Sequence, residues 1–174
     1  MNLSDKIALF SAIGGWVSGL GALAAVITSL YIANKKVKVQ LKCTVSEKII
    51  FTHGAIGPGI EEKGIAFEIV NLTTIPITLT SLGWRFDKKF YFHQILGDHL
   101  SHSLPKRIEY GEKALFWVKL EGREDAWFNA YAEALKLNGV IAKHVECGIS
   151  TTTGGVKYFP VDSSLKERFK KIVS

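Results

Sequence analysis

Hydrophobic and polar residues are distributed in two different ways along this chain of 174 residues. No residue between Lys6 and Lys35 carries a charge, and the 28 residues from Ile7 to Asn34 are mostly apolar. As an α-helix this run would be about 42 Å long, whereas the hydrocarbon core of a bilayer is about 30 Å thick. The pattern predicts one transmembrane anchor in residues 1–36, followed by a separate domain in residues 37–174.

Two alternatives compete with a retained anchor. A buried helix of a soluble domain is disfavoured because globular helices usually contain about 8 to 20 residues. A cleaved signal peptide would have a shorter apolar region of about 7 to 15 residues, preceded by positive charge. Here Asp5 and Lys6 cancel, and lysines follow the run instead. The retained anchor is therefore favoured, and the signal peptide is the remaining alternative.

The charges beside the run predict its orientation. Before the run Lys6 is balanced by Asp5, whereas four basic residues follow it: Lys35, Lys36, Lys38 and Lys42. Positive residues are retained on the cytoplasmic side of a membrane. We therefore expect a single-pass protein of the inner (cell) membrane, with a short N-terminus outside, the four lysines at the membrane surface and the domain in the cytoplasm.

Small residues recur at helical spacing within the predicted span, at Ser11, Gly15, Gly19 and Ala22. Small residues on one face allow two helices to approach closely in lipid, and Gly15 and Gly19 form a GxxxG pair. Glycine and alanine are also generally common in membrane spans, which is the competing explanation. The face predicts that the protein forms a homo-oligomer through its transmembrane helix.

Beyond residue 36 the apolar residues alternate with polar ones in short segments. Alternation and β-branched or aromatic residues predict about seven strands, at 37–45, 64–71, 76–86, 89–92, 114–120, 140–149 and 156–161. The segment 53–64 is rich in glycine and is predicted to be a loop. Many short strands joined by turns are typical of a β-sandwich.

Two segments of the domain have a helical period instead. The first follows Glu124 and ends near Gly139, and its predicted inward face contains Trp127, Ala130, Tyr131, Ala134 and Leu135. The second is a short C-terminal helix, for which Ser164 and Glu167 would form a capping box. Its predicted inward residues are Leu165, Phe169 and Ile172. The fold class is therefore mainly β with minor α, with one inserted helix and one C-terminal helix.

Three stretches resemble a known group of proteins: AFEIVNLTTIPITLTSLGWRF, the EYGEK that follows Leu104-Pro105, and GGVKYFPVD. They are similar to uncharacterised bacterial proteins that have an N-terminal membrane anchor and an immunoglobulin-like β-sandwich. The resemblance implies that fold for residues 64–162, and a role in phage exclusion, defence or the cell envelope. It departs from antibody domains, since position 145 is valine and Trp84 lies far from Cys43 in sequence.

Candidate chemistry is sparse. Four residues with metal-ligand chemistry lie within one segment, at His93, Asp98, His99 and His102, but their spacing matches no zinc signature. Acidic residues occur in pairs at Glu61 and Glu62 and near Glu124, where turn and helix-start roles are favoured. The chain contains no nucleophile elbow, no P-loop and no dinucleotide fingerprint. The sequence therefore predicts no enzyme, no metal site and no cofactor.

The charge balance and the cysteines add two expectations. The net charge is +6, and the C-terminal helix carries four basic residues: Lys166, Arg168, Lys170 and Lys171. A solvated helix face explains them better than contact with acidic lipid, a nucleotide or nucleic acid. The two cysteines, Cys43 and Cys147, are expected to be reduced thiols in the cytoplasm, and a disulfide would indicate the opposite orientation.

These observations predict a membrane-anchored, non-catalytic interaction or sensor protein with an unknown protein partner. The alternative is a ligand-gated membrane effector, in which the cytoplasmic β domain binds an anionic small molecule or nucleotide and rearranges an oligomer of spans. Oligomers larger than a dimer would favour this alternative.

Overall fold

A computed structural model describes residues 2–35, 37–52, 60–88, 90–140, 144–153 and 155–173 of the chain. The chain divides into two compact units, Met1–Lys38 and Val39–Ser174. The elements in chain order are α1 (Leu3–Asn34), β1 (Leu41–Thr52), β2 (Ile60–Asn71), β3 (Ile77–Asp87), β4 (Phe90–His93), β5 (Lys106–Ile108), β6 (Lys113–Lys119), α2 (Glu124–Leu137), β7 (Glu146–Thr151), β8 (Val156–Pro160) and α3 (Ser163–Val173).

The first unit is built on α1, a single helix of 32 residues. Its first turn is closed by Asp5, whose carboxylate accepts a 3.0 Å hydrogen bond from the backbone N–H of Asn2. Apolar residues surround the whole helix axis, and none of its residues is buried. A helix that lies in the membrane interface would instead have one polar face. By length and composition, α1 can cross a membrane, and among the described residues no other helix can.

The second unit contains two antiparallel sheets. Sheet A has the order β1-β2-β6, and sheet B has the order β4-β3-β7-β8, with β5 beside the first residues of β3. These orders correspond to strands A-B-E and C′-C-F-G of immunoglobulin domains. The predicted fold class is therefore confirmed: the domain is mainly β with minor α, with α2 inserted between β6 and β7 and α3 after β8.

The core lies between the two sheets because alternate strand residues point inward. Phe67 of β2 and Trp84 of β3 are fully buried, and their ring centroids are 5.1 Å apart at an angle of 61°. Trp84 lies opposite Cys147 in the pairing of β3 with β7. Replacing a buried tryptophan with alanine typically costs about 3–5 kcal/mol of stability. The sheets are therefore held together mainly by large side chains that share this layer.

Helices α2 and α3 close one side of this core around Phe169. The fully buried ring of Phe169 lies within 6.0 Å, between ring centroids, of five other aromatic residues: Trp84, Phe86, Trp127, Phe128 and Tyr131. Leu165, one turn earlier, is also buried, as predicted. The predicted inward direction of Ile172 falls outside the described side chains. The C-terminal helix is thus part of the core and is not an appendage.

Several predicted strand limits are wrong at their ends. The first strand begins at Leu41 and not at Val37, because the N–H and the carbonyl of Gln40 bond to the turn at Leu72 and Thr73 instead of to a neighbouring strand. Residues 60–63, predicted to be loop, belong to β2 and pair with the end of β1. Residues 53–59 of the predicted loop and residues 141–143 of the predicted strand 140–149 lie outside the described residues.

Two details of the predicted helices also differ. Ala130 is exposed, because the buried stripe of α2 follows Phe128 and Leu135. At the start of α3 the cap is supplied by Asp162, which accepts hydrogen bonds from the backbone N–H of Ser164 at 3.0 Å and from its hydroxyl at 2.7 Å. Ser164 is therefore a donor to the cap, and the capping box predicted for Ser164 and Glu167 is wrong.

Candidate functional site

The predicted helix-association face is fully exposed on α1. Ser11, Gly15, Gly19 and Ala22 are all exposed, and a Cβ added at either glycine would meet no atom within 4 Å. The two glycines line a shallow apolar groove of about 440 Å³ on the helix surface, together with Ala12, Trp16, Leu20 and Leu23. The groove is open at Gly15 and Gly19 because these residues have no side chain, and Trp16 forms one side of it. The surface has the shape that close helix packing in lipid uses.

The predicted membrane-surface lysines lie on both sides of the division between the two units. Lys35 is the C-terminal cap residue of α1, and its backbone N–H donates to the carbonyl of Ile32 at 3.2 Å. The side chains of Lys35, Lys38 and Lys42 are exposed. Lys36 lies outside the described residues. These lysines carry charge directly after the apolar helix, which is the pattern of a cytoplasmic flank.

The segment with histidines and Asp98 covers the free edge of β6. The backbone N–H of Lys119 donates to the Asp98 carboxylate at 2.9 Å, and the backbone N–H of Trp117 donates to the Ser101 hydroxyl at 3.2 Å. The backbone N–H of His102 donates to the carbonyl of Leu115 at 3.1 Å. An uncovered strand edge would present these groups to other chains. The loop therefore protects one edge of sheet A.

The same segment does not gather a metal site. His93 lies on β4, where its ring centroid is 5.0 Å from that of Tyr91. Asp98 bonds to β6 at Lys119, whereas His102 bonds to it at Leu115. Within the part of the chain that the structure describes, no three His, Cys, Asp or Glu side chains are placed to hold one metal ion.

Glu62 is a buried carboxylate that the sequence pattern did not single out as special. Its side chain is only 4% exposed and accepts a 3.2 Å hydrogen bond from the indole N–H of Trp117. The ammonium of Lys119 lies 3.4 Å away and Nε2 of His99 lies 3.8 Å away. Burial of a carboxylate is costly unless it is hydrogen-bonded or ion-paired. Glu62 lies on β2 two residues before Gly64, and its side chain therefore points toward Trp117, whose ring covers that glycine. The role of Glu62 is therefore structural.

A groove of about 550 Å³ lies between the start of α2 and β2. Four carboxylates line it, Glu61, Glu121, Glu124 and Asp125, together with the cations Lys63 and Arg123. Glu124 is held by Lys63 at 3.2 Å and by Arg168 at 3.4 Å. Glu124 and Asp125 also occupy the first turn of α2, where negative charge is favourable. The groove is thus acidic, and its charges also support the helix start.

The outer face of sheet B has an ordered polar and aromatic surface. Arg85 pairs with Glu146, with Nε 2.8 Å from a carboxylate oxygen, and its guanidinium carbon lies 3.4 Å from the ring centroid of Tyr158. Tyr91 crosses the same face and donates a 3.0 Å hydrogen bond to the carbonyl of Gly148. Burial raises the pKa of Tyr91 to about 12. The hydroxyl therefore stays protonated and acts as a donor at neutral pH.

Comparison of the chain with protein-family models, with curated proteins and with solved structures finds no match. The resemblance to bacterial membrane-anchored proteins therefore stays a prediction, and the functional argument depends on the residues themselves.

Proposed function

We propose that the protein is a single-pass, membrane-anchored interaction or sensor module that is not an enzyme. The observation that carries the proposal is α1: it is apolar on all sides, none of its residues is buried, and it precedes a domain with its own closed core. An exposed apolar surface of this length is unfavourable in water and favourable in a bilayer. The helix supplies location, and the sandwich supplies a folded surface for a protein partner.

The orientation in this proposal places the sandwich in the cytoplasm, at the inner membrane. Support comes from the exposed lysines Lys35, Lys38 and Lys42, which follow α1 closely. Each lysine close to an anionic leaflet contributes about 1 kcal/mol of attraction. The same lysines therefore favour both the orientation and a position of the tether near the membrane surface.

The alternative effector needs a site for an anionic ligand, and the acidic groove beside α2 does not favour it. Its four carboxylates would repel a nucleotide, and both of its cations are already paired, Lys63 with Glu124 and Arg123 with Asp98. A role in phage exclusion, defence or the envelope depends on the resemblance alone. We therefore propose the interaction module, with the small-residue face of α1 as the surface for self-association.

Extraction of cell membranes at alkaline pH tests the anchor. The full-length protein should stay in the membrane pellet, because alkaline washing removes peripheral proteins and leaves spanning helices. A variant with Leu20→Arg and Leu23→Arg should move to the soluble fraction, since each arginine near the helix centre costs about 2.5–3.5 kcal/mol on insertion scales. The matched variant with Leu20→Ala and Leu23→Ala should remain in the pellet. Wild-type protein in the supernatant would refute the anchor.

Protease digestion tests the orientation separately. Protease added to intact spheroplasts should leave the domain undigested, and the same protease should digest it after the membrane is permeabilised. Digestion in intact spheroplasts would show that the sandwich faces outward, even if the anchor itself is correct.

A further inference from the structure

The turn between β2 and β3, residues 72–76, is bonded to the residue at which the chain enters the domain. Gln40 is the last residue before β1. The hydroxyl of Thr73 accepts from the backbone N–H of Gln40 at 2.7 Å and donates to its carbonyl at 3.1 Å. The backbone N–H of Leu72 donates to the same carbonyl at 3.0 Å. The turn therefore lies beside the entry point of the chain.

Asn71 joins a second turn, residues 109–112 between β5 and β6, to this end of the domain. Asn71 is fully buried, and its side-chain amide donates to the carbonyl of Ile75 at 2.9 Å. Its backbone carbonyl accepts a 2.8 Å hydrogen bond from the N–H of Gly111. Asn71 thus holds the two turns together, next to Gln40.

Both turns expose apolar side chains. Leu72, Ile75 and Tyr110 are 46%, 39% and 67% exposed, and we call these three residues the entry surface. Exposed apolar residues that are scattered singly are ordinary in folded proteins. These three lie instead on two turns that one buried residue joins, at the end of the domain where the chain enters.

The charges near the entry surface suit an anionic partner. Glu109 is paired with Arg107, whose Nε lies 3.0 Å from its carboxylate. Glu112 is paired with Lys106 at 3.2 Å. The exposed Lys42 follows the entry point closely and adds positive charge, which the acidic residues of the turn do not offset because they are already paired.

The length of the connecting chain limits how far Gln40 can lie from a membrane that α1 spans. The helix has 32 residues. At 1.5 Å per residue it is about 48 Å long, whereas a bilayer with its headgroups is about 40–45 Å thick. Its last residue, Asn34, therefore reaches the headgroups. Gln40 follows Asn34 by six residues, and six extended residues span at most about 22 Å.

We propose that the entry surface is a lipid-contact site, which places the side chains of Leu72, Ile75 and Tyr110 in the interface of an anionic bilayer. The ring and hydroxyl of Tyr110 suit the headgroup region, and the two aliphatic side chains leave water at the acyl boundary. The lysines after α1 attract the anionic headgroups. This inference rests on the proposed anchor, because the chain-length limit applies only when α1 spans the membrane.

Quenching by brominated lipid tests the contact on the full-length protein. The vesicles contain equal parts of phosphatidylcholine and phosphatidylglycerol, with or without bromine on the acyl chains near the headgroups. In a Trp16→Phe background, Tyr110→Trp should lose a large part of its added emission in brominated vesicles, because bromine quenches an indole only at close range. Leu137→Trp, at an apolar position that is 86% exposed at the end of α2, is the matched control and should lose none. No loss at Tyr110→Trp, or equal losses at both positions, would overturn the proposal.

A second pair of variants tests whether the three side chains form one contact site. Combined with Tyr110→Trp, the changes Leu72→Gln and Ile75→Gln should reduce the quenching, because they remove the neighbouring apolar side chains. Both residues are exposed, and their hydrogen bonds to Gln40 and Asn71 use backbone groups, so the fold should be kept. The same changes at two exposed positions elsewhere, Ile95 and Leu137, should leave the quenching intact. Undiminished quenching in the first variant would refute a shared site.

Trp16 of the wild type reports the anchor separately, because it lies on α1. Vesicles with bromine deeper in the acyl chains should quench its emission if the helix is inserted. Quenching of Trp16 without quenching of Tyr110→Trp would refute the lipid contact and leave the anchor standing. Absence of quenching at Trp16 would refute the anchor and, with it, the entry surface as a lipid-contact site.

Discussion

The ring of Tyr91 lies directly over Gly148 on the outer face of sheet B, and its hydroxyl donates to the carbonyl of that same glycine. Gly83, the partner of Gly148 in the β3–β7 pairing, lies under the same ring: a Cβ at Gly83 would be 2.6 Å from Cζ of Tyr91. Sheet A repeats the arrangement, since a Cβ at Gly64 would lie 2.5 Å from Cζ2 of Trp117. Each sheet therefore has an aromatic ring packed onto a glycine of its outer face.

Gly148→Ala should destabilise the domain by about 1–3 kcal/mol, because the added methyl group would displace the Tyr91 ring from a packed position. The measurement is urea unfolding of the full-length protein in detergent, followed by tryptophan fluorescence. Gly97→Ala is the matched control, since a Cβ there would meet no atom within 4 Å. Equal midpoints for the two variants would contradict this packing.

Replacing Asp98 and Ser101 with alanine should destabilise the domain by about 1–3 kcal/mol and promote aggregation. The change removes the acceptors for the backbone N–H groups of Lys119 and Trp117 and leaves the edge of β6 open to pairing with another chain. Light scattering of the detergent-solubilised protein during slow heating measures the aggregation. Ser103→Ala, at an exposed position of the same loop, is the control and should behave as wild type.

The stability of the domain should fall at acidic pH partly through Glu68. Hydrogen bonds from Lys48 and Lys113 hold the pKa of Glu68 below its ordinary value of 4.5. A carboxyl with a lowered pKa contributes stability above pH 4.5 and loses that contribution as the pH falls through the lowered value. The difference in unfolding free energy between wild type and Glu68→Gln should therefore be constant near neutral pH and shrink below pH 4.5.

The two lysines provide the control for this pH dependence. In a variant with Lys48→Gln and Lys113→Gln, replacing Glu68 with glutamine should produce a much smaller change with pH, since the cause of the lowered pKa is gone. Urea midpoints at a series of pH values measure both differences. A difference that shrinks equally in the two backgrounds would assign the effect to other groups.

Gly15→Leu with Gly19→Leu should weaken self-association of the protein in membranes. The leucines fill the groove on α1 that we propose as the contact surface between copies. Cross-linking in native membranes, read as the fraction of dimer and larger species, is the measurement. Gly14→Leu with Gly21→Leu is a matched control, because those glycines lie about 130° away around the helix at 100° per residue. Equal losses in both variants would point to helix insertion and not to a specific face.

Replacing Lys35, Lys36, Lys38 and Lys42 with glutamine should reduce the fraction of molecules whose domain is protected from external protease. The positive charges after α1 are the basis for the expected orientation, and neutral residues remove that bias. Replacing four lysines elsewhere in the domain, at Lys106, Lys113, Lys136 and Lys157, provides a control with the same loss of charge. An unchanged protected fraction in the first variant would show that another feature sets the orientation.

The elements that were predicted correctly leave a periodic trace in the sequence. The apolar length of α1, the alternation in β3 and β6, and the buried Leu165 and Phe169 of α3 are local patterns. Strand β5 was not predicted, because its three residues pair with only the first part of β3 and are too short to show a period.

The polar contacts between residues distant in sequence were not predictable, for a different reason. Asp98 contacts a backbone group 21 residues away, and Arg168 pairs with Glu47 across 121 residues. Such bonds depend on how the sheets and helices are assembled, and neither partner is marked by a local pattern.

The position of Phe169 at the centre of the aromatic cluster has a consequence for biosynthesis. During translation α1 emerges from the ribosome long before residue 169 is added, so the apolar helix is available to the insertion machinery while the sandwich still lacks its closing side chain. If α1 is the membrane anchor that we propose, its delivery to the bilayer begins before the domain is complete, and the nascent β strands must remain unaggregated during this interval.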